Sequence, residues 1–276
     1  MAHIVAGLGG PHHPENPSTI ARRDPEDRAS TLYSRLEDML EAARPDVLLM
    51  FDSDHMNVFF LDCVPQLAIG VADRTTGPND ATQSLAPSTV PVSETLAGHV
   101  RDACIEDGFD VALSRHFTVD HSVLVPLHYL RPAHDLPILP VFINGLLPPV
   151  PDAHRCAALG HAVRDAVAAW PDELRVAILA SGSLSLEVGG PHIGPGSIFG
   201  EPDRAWAARV VELLRTGDLD TLTAEATRDQ MAAAGNVGGE VLNWIAMLSA
   251  IGPAPATTIE IGPRLGDGYG FWTVRP

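Results

Sequence analysis

The apolar run Val47-Leu48-Leu49-Met50-Phe51 breaks off into Asp52-Ser53-Asp54-His55, and this junction constrains the chain more than any other stretch. Four to eight apolar residues bounded by Pro45 and a polar cluster predict an interior strand. An open α/β sheet puts its site just past the carboxyl ends of such strands. Asp52, Asp54 and His55 stand there, and His55 is read as a metal ligand whose partners the rest of the chain must supply.

The arrangement recurs at the N-terminus. The short strand Ile4-Val5-Ala6-Gly7-Leu8 ends in Gly9-Gly10-Pro11-His12-His13-Pro14, a turn-rich loop that again delivers histidine. Between the two strands, residues 26–44 place Leu32, Leu36, Met39 and Leu40 on one face, which predicts an amphipathic helix closed by Pro45. Further strands are predicted over 67–71, 110–114, 137–143 and 176–180, with an edge hairpin from 257–261 and 269–274. Helices are predicted over 94–107, with Ser93 as N-cap and Gly108 past the end, and over 152–169, 202–215, 219–232 and 237–249. Residues 72–91, rich in Thr, Pro, Gly, Asn and Ser, read as a long loop and a candidate lid. Strands alternating with helices give an α/β fold: a single domain over residues 1–276 with a central mixed sheet flanked by helices.

Composition narrows the function. All 18 cationic side chains are arginine, so the chain holds neither a Schiff-base lysine nor a P-loop lysine. A formal charge of −17 argues against nucleic acid as a partner, because phosphate binding needs clustered positive charge. Cys63, Cys104 and Cys156 are widely spaced and form no CxxC, which fits buried thiols in a reducing compartment. The N-terminus lacks a basic segment followed by an apolar core, and no run reaches the ~18 apolar residues of a membrane span. The expectation is a cytoplasmic protein with no membrane partner.

The 12 histidines all lie at or before position 192. His12, His55, His121 and His192 follow predicted strands in loops, and His13, His116, His128 and His134 lie in or near loops. His3, His99, His154 and His161 fall in strand or helix patterns and receive no role. A single loop histidine is most often a solvated or hydrogen-bonded side chain; several at one end of a sheet point to convergence. His12 and His55 offer two neutral nitrogens. A carboxylate would complete the two-histidine-one-carboxylate face that leaves positions open on Fe(II) for substrate and dioxygen. Glu240, in Gly235-Asn236-Val237-Gly238-Gly239-Glu240-Val241-Leu242-Asn243-Trp244, is the candidate. It opens an otherwise apolar helix, where the helix dipole also favours an acid. Ser181-Gly182-Ser183 lacks the Gly-x-Ser-x-Gly nucleophile elbow, and Gly7-Leu8-Gly9-Gly10 lacks the third glycine of a dinucleotide fingerprint.

Taken together, the His12 loop, Asp54-His55 with Asn57 and Phe59-Phe60, Val119-Asp120-His121 with Pro126-Leu127, and Leu139-Pro140-Val141-Phe142-Ile143-Asn144-Gly145 resemble the class III extradiol ring-cleaving dioxygenases. The resemblance is to the protocatechuate 4,5-dioxygenase catalytic subunit and 2,3-dihydroxyphenylpropionate 1,2-dioxygenase type. Ser181-Gly182-Ser183-Leu184-Ser185 and the Glu240-to-Trp244 segment also fit, so the match spans nearly the whole chain in order. It implies Fe(II) bound by His12, His55 and Glu240, with two catalytic histidines: His121 contacting substrate or oxygen, and His192 as the acid/base beside the open iron positions. It also implies a catechol-type substrate, O2 as co-substrate, a muconic semialdehyde product and a homo-oligomer. Where members carry a histidine directly after a Ser-Gly-Gly-Leu-Ser-type segment, this chain has Leu186, and the next histidine is His192. Arg115 or Arg74 is a candidate for a substrate carboxylate. Two other readings compete: a zinc-dependent hydrolase on the same ligands, and a non-enzymatic binding protein of the same fold.

Overall fold

A computed structural model describes the chain except residues 81, 83, 191, 192, 194, 195, 275 and 276. In order, the elements are β1 (Ala2–Gly10), α1 (Asn16–Thr19), α2 (Arg28–Ala43), β2 (Val47–Asp52), β3 (Leu67–Gly70), β4 (Arg74–Gly77), β5 (Ser88–Pro91) and α3 (Glu94–Glu106). There follow β6 (Ala112–Ser114), α4 (His121–Leu130), β7 (Ile138–Ile143), α5 (Ala153–Ala169), β8 (Leu174–Ser181), α6 (Arg204–Thr216), α7 (Leu219–Glu225) and α8 (Arg228–Ala233). A 3-10 turn (Gly238–Glu240) leads into α9 (Val241–Ala250), and β9 (Thr258–Ile261) and β10 (Gly268–Thr273) close the chain.

Eight strands form one mixed sheet in the order β6-β3-β7-β2-β8-β1-β10-β9. The stretch β7-β2-β8-β1 is parallel throughout, while β10 runs antiparallel to β1 and β9 to β10. Parallel pairing brings the carboxyl ends of β1, β2, β7 and β8 to one edge, the edge an open α/β sheet uses for its site. Helices cover both faces, which parallel strands require because neither face can meet water. Along β2 the side chains alternate: Val47, Leu49 and Phe51 join the core under α5 and α9, and Leu48 and Met50 join the one under α2 and α4. α9 is buried along its whole length, so its apolar sequence is a core requirement. Several helices start on the acids the sequence offers: Asp27 accepts from Ser30 N at 2.7 Å, and Asp152 from Arg155 N at 2.9 Å.

Four expectations are corrected. Residues 72–91 are not a plain loop, since β4 and β5 pair as an antiparallel two-stranded sheet within them. The stretch after Asp120 is a helix, α4, so His121 is a first-turn helical residue and His128 lies inside the helix. Pro126 and the β-branched Val123 and Val125 conceal that helix in the sequence. The helix expected over 219–232 divides into α7 and α8, because Thr227 caps a fresh start by accepting from Gln230 N. Glu240 closes a 3-10 turn before α9 begins, where the sequence suggests one continuous helix.

Candidate metal centre

Loops at the carboxyl ends of β1 and β2 bring His12 and His55 together, with ring centroids 5.0 Å apart, and the turn before α9 drops Glu240 beside them. Glu240 Oε1 lies 2.9 Å from His12 Nε2 and 3.4 Å from His55 Nε2. Glu240 is wholly buried and His12 nearly so.

The opposite edge of each imidazole is committed. His12 Nδ1 lies 2.9 Å from Ser181 Oγ. That hydroxyl gives its own proton to Ser122 O at 2.6 Å, so it can only accept from His12. The acceptor exists because of Pro126: lacking an N–H, it leaves the carbonyl of Ser122, four residues back in α4, without its helical partner. A proline that hides the helix in the sequence thereby sets the tautomer of His12 through one serine. His55 Nδ1 donates to Asp120 Oδ2 at 3.1 Å, and the same oxygen accepts from His55 N at 3.1 Å and from Asn57 Nδ2 at 3.0 Å. Asp120 Oδ1 meanwhile caps α4 through Ser122 N at 2.8 Å. With Nδ1 occupied on both rings, both Nε2 atoms turn toward Glu240.

Glu240 Oε2 accepts from Ser183 N at 2.7 Å, while Oε1 is buried with no hydrogen-bond donor. Two imidazole nitrogens and an orphaned carboxylate oxygen converging in a buried spot are a donor set that a divalent cation satisfies. Burial opposes ionisation of Glu240, yet His12 and His55 hold its carboxyl far below the usual carboxylate range. Burial lowers the pKa of His12. It works against charge on His55 as well, but Asp120 and Glu240 outweigh it and raise that pKa well above the ordinary imidazole value. Gly182, at φ +144°, packs under the carboxylate: a Cβ there would meet Glu240 Oε2 at 2.8 Å. Asn243 braces the same floor, donating to Ser181 O at 2.8 Å and to Ser53 Oγ at 3.2 Å.

His121 joins the group, its ring centroid 4.2 Å from that of His55 and 5.4 Å from that of His12. One ring nitrogen of each of the three histidines lies within 4.8 Å of the others. His121 Nδ1 donates to Asp80, which leaves Nε2 as its only nitrogen with a lone pair. Asp80, Asp120 and His121 also approach one another, but Asp80 is already engaged by His121 Nδ1 and Asp120 by His55 Nδ1.

His192 lies outside the described residues. His13, next to His12 in sequence, is turned away: its Nε2 donates to Asp267 at 2.9 Å, and Ser183 Oγ gives its proton to the same carboxylate at 2.9 Å. Burial opposes charge on His13, but Asp267 prevails and raises its pKa. Arg74 and Arg115 line a separate cavity of about 630 Å³ with Thr75, Thr76, His116 and Thr118. There Arg74 pairs with Asp73 at 2.9 Å and Arg115 approaches Glu94 at 3.9 Å, so neither arginine stands at the histidine cluster. The orienting roles of Ser181, Asp80 and Asp120 escape sequence reading. Ser181 and Asp120 enter the sequence reading only as members of segments that carry the resemblance, and Asp80 not at all.

An α/β sheet carrying a buried two-histidine-one-carboxylate cluster at the carboxyl ends of its parallel strands defines a class: proteins built to hold a catalytic divalent metal with open positions. The chain belongs to the family described as the catalytic LigB subunit of aromatic ring-opening dioxygenase, which it matches over residues 10–263. It is thus an extradiol ring-opening dioxygenase by family. It is similar to a 2,3-dihydroxyphenylpropionate/2,3-dihydroxicinnamic acid 1,2-dioxygenase of Rhodococcus rhodochrous, at 30% identity over 79% of this chain and 80% of that one. A Burkholderia vietnamiensis protein of the same name is 31% identical over 84% of this chain and 86% of its own. Among solved structures, an uncharacterized Escherichia coli K12 protein shares the fold, with a TM-score of 0.60 at 13% identity over 97% of this chain and 98% of that one.

Proposed function

We propose that the chain is an Fe(II)-dependent extradiol dioxygenase that opens a catechol-type ring beside its two hydroxyls to give a muconic semialdehyde. The observation that carries this reading is Glu240 Oε1, buried without a donor between the two Nε2 atoms of His12 and His55. His12, His55 and Glu240 would hold the ion, as three ligands on one side that leave the other side for substrate and O2. When bound, Fe(II) supplies a site for both catechol oxygens and for dioxygen, and carries the electron transfer between them.

The residues of the chain do the rest. Asp120 and Ser181 keep His55 and His12 turned with Nε2 inward. His121, with Nδ1 engaged by Asp80, has Nε2 free to take the proton of a catechol hydroxyl and to return it later in the reaction. His192 is proposed as the second proton-transfer histidine, on the strength of the family resemblance alone. The fully buried floor of Ser181, Ser183 and Asn243 excludes water beneath the ligands. Names of the relatives point to catechols with a side chain next to the hydroxyls as the first substrates to test. The proposal extends to one catalytic domain over residues 1–276 acting as a homo-oligomer in the cytoplasm. Among the described residues, no helix is long and apolar enough to cross a membrane.

The test is anaerobic Fe(II) loading followed by oxygen uptake with 2,3-dihydroxyphenylpropionate, protocatechuate, gallate, catechol and 2-aminophenol. The expected result is one O2 consumed per ring and a new yellow product, both lost in His55→Ala and Glu240→Ala. Hydrolytic activity with Zn(II) and no oxygen uptake with Fe(II) would replace this reading by that of a hydrolase. Failure to bind iron at all would overturn the assigned ligands.

A further inference from the structure

Asp80 sits in the connection between β4 and β5, 41 residues before the histidine it touches, and belongs to none of the strands that carry the metal ligands. Its Oδ2 accepts twice from one residue: from the backbone N–H of His121 at 3.3 Å and from the Nδ1–H of the same side chain. Oδ1 accepts from Thr82 N at 3.1 Å, so the carboxylate is itself held on both oxygens. Burial favours its neutral form, but His121 and Thr82 pull the carboxyl down to about 2.

The connection is fastened to all three histidine-bearing segments. Asn79 N donates to Val119 O at 3.0 Å, and Asn79 Nδ2 donates to Thr118 Oγ1 at 2.7 Å, just ahead of His121. The same Nδ2 donates to Asn57 O at 3.1 Å, just past His55. Ser84 Oγ donates to Pro14 O at 2.6 Å, just past His12. β4 is bolted alongside, with Val119 N donating to Thr76 O at 2.9 Å and Thr75 Oγ1 to Phe117 O at 2.8 Å. Asn79, Asp80 and Ser84 are each anchored by these bonds, so Asp80 is a fixed acceptor for His121.

We propose that Asp80 is a positioning residue for the ring-opening reaction: it holds His121 in the tautomer with the proton on Nδ1, keeping Nε2 bare to receive the substrate hydroxyl proton. A carboxylate on one imidazole nitrogen decides which nitrogen carries the proton and fixes the plane of the ring. Asp120 does this for His55; Asp80 does it for a histidine that is not among the three assigned ligands. The inference rests on the reading of His121 as the proton-transfer group.

Two measurements test it. The first is the 15N spectrum of histidine-labelled, metal-free protein at a pH well above the ordinary imidazole pKa of about 6.5, with the His121 signals identified by their absence in His121→Ala. The expected wild-type pattern is a protonated Nδ1 and a bare Nε2. Asp80→Ala should move the population toward protonated Nε2, and Asp80→Asn, whose amide oxygen still accepts, should restore the wild-type pattern. An unchanged pattern in a folded Asp80→Ala protein overturns the proposal.

The second is turnover in a double-mutant cycle. Asp80→Ala should lower kcat by roughly 10- to 100-fold, by analogy with the loss of the orienting partner of a metal-ligating imidazole, with metal content per chain unchanged. In the His121→Ala background the same substitution should cost nothing further. Equal losses in both backgrounds, or loss of bound metal, would show that Asp80 acts through something other than His121 and overturn the proposal. If His121→Ala alone keeps wild-type turnover, the proton-transfer reading of His121 fails, and the 15N pattern still decides whether Asp80 sets its tautomer.

Discussion

At the scale of single residues, the cluster works by occupying one nitrogen of each imidazole. Ser181, Asp120 and Asp80 take Nδ1 of His12, His55 and His121, which leaves each Nε2 available. The candidate ligands were legible because histidine after a buried strand and an acid opening an apolar helix are local patterns. Their orienting partners were not: Ser181 lies 169 residues from His12 and Asp120 lies 65 from His55, and nothing local marks such a pairing. The cysteines offer a check independent of the metal. Burial raises the thiols of Cys104 and Cys156 to about 12, with Asp107 and Asp152 adding to it, so neither forms appreciable thiolate near neutral pH. Cys63 is exposed. A thiol reagent should therefore find one reactive cysteine in the native protein and all three in guanidinium. Rapid native labelling of more than one would contradict the burial of Cys104 and Cys156.

At the scale of elements, the metal floor depends on how closely α5 and α9 approach. Gly160 of α5 lies against the backbone of α9, where a Cβ would meet Ala246 O at 2.2 Å and Ser249 Cβ at 2.9 Å. A backbone carbonyl cannot swing aside as a side chain can, so Gly160→Ala should force the helices apart and cost about 1–3 kcal/mol. Because Glu240 immediately precedes α9, metal affinity should fall in the same variant. Guanidinium unfolding with an unchanged m-value, together with equilibrium dialysis of the metal, measures both. A variant as stable as the wild type would refute the close crossing. The elements also show where sequence patterns mislead. Pro126 argues against a helix on local grounds, yet α4 accommodates it and sends the freed Ser122 carbonyl to Ser181. The Thr- and Pro-rich stretch at 72–91 looks like loose loop because β4 and β5 are short, partly exposed and not built into the main sheet.

At the scale of the whole molecule, the site joins β1, β2, β8 and the start of α9, elements drawn from both ends of the chain. A cation bound there would bridge segments more than two hundred residues apart, such as those of His12 and Glu240. An ion that binds only the folded state stabilises it by mass action, by about 2.7 kcal/mol at a free concentration of 100 Kd. For a domain of this size that is a rise in Tm of roughly 5–10 °C. Anaerobic thermal unfolding with and without Fe(II) should show the rise, a chelator should remove it, and Glu240→Gln should abolish it. A Tm indifferent to the metal would mean that the cluster does not bind it in the native state.

What the sequence by itself determined is local. Apolar runs and their punctuation specify interior strands and amphipathic helices, and their alternation specifies an α/β fold with a mixed sheet. The residues that end those strands mark the candidate site. Pairing along the sheet is long-range, and only the tertiary structure decided it. Placing β8 between β1 and β2 puts Ser181 and Ser183 beneath His12 and Glu240. The β4–β5 hairpin carries Asp80 to His121. In each case a polar group is buried at a distance in sequence and must find its hydrogen-bond partner inside the protein, because desolvation leaves it no other. That requirement acts on the packed molecule and leaves no periodicity in the chain to read.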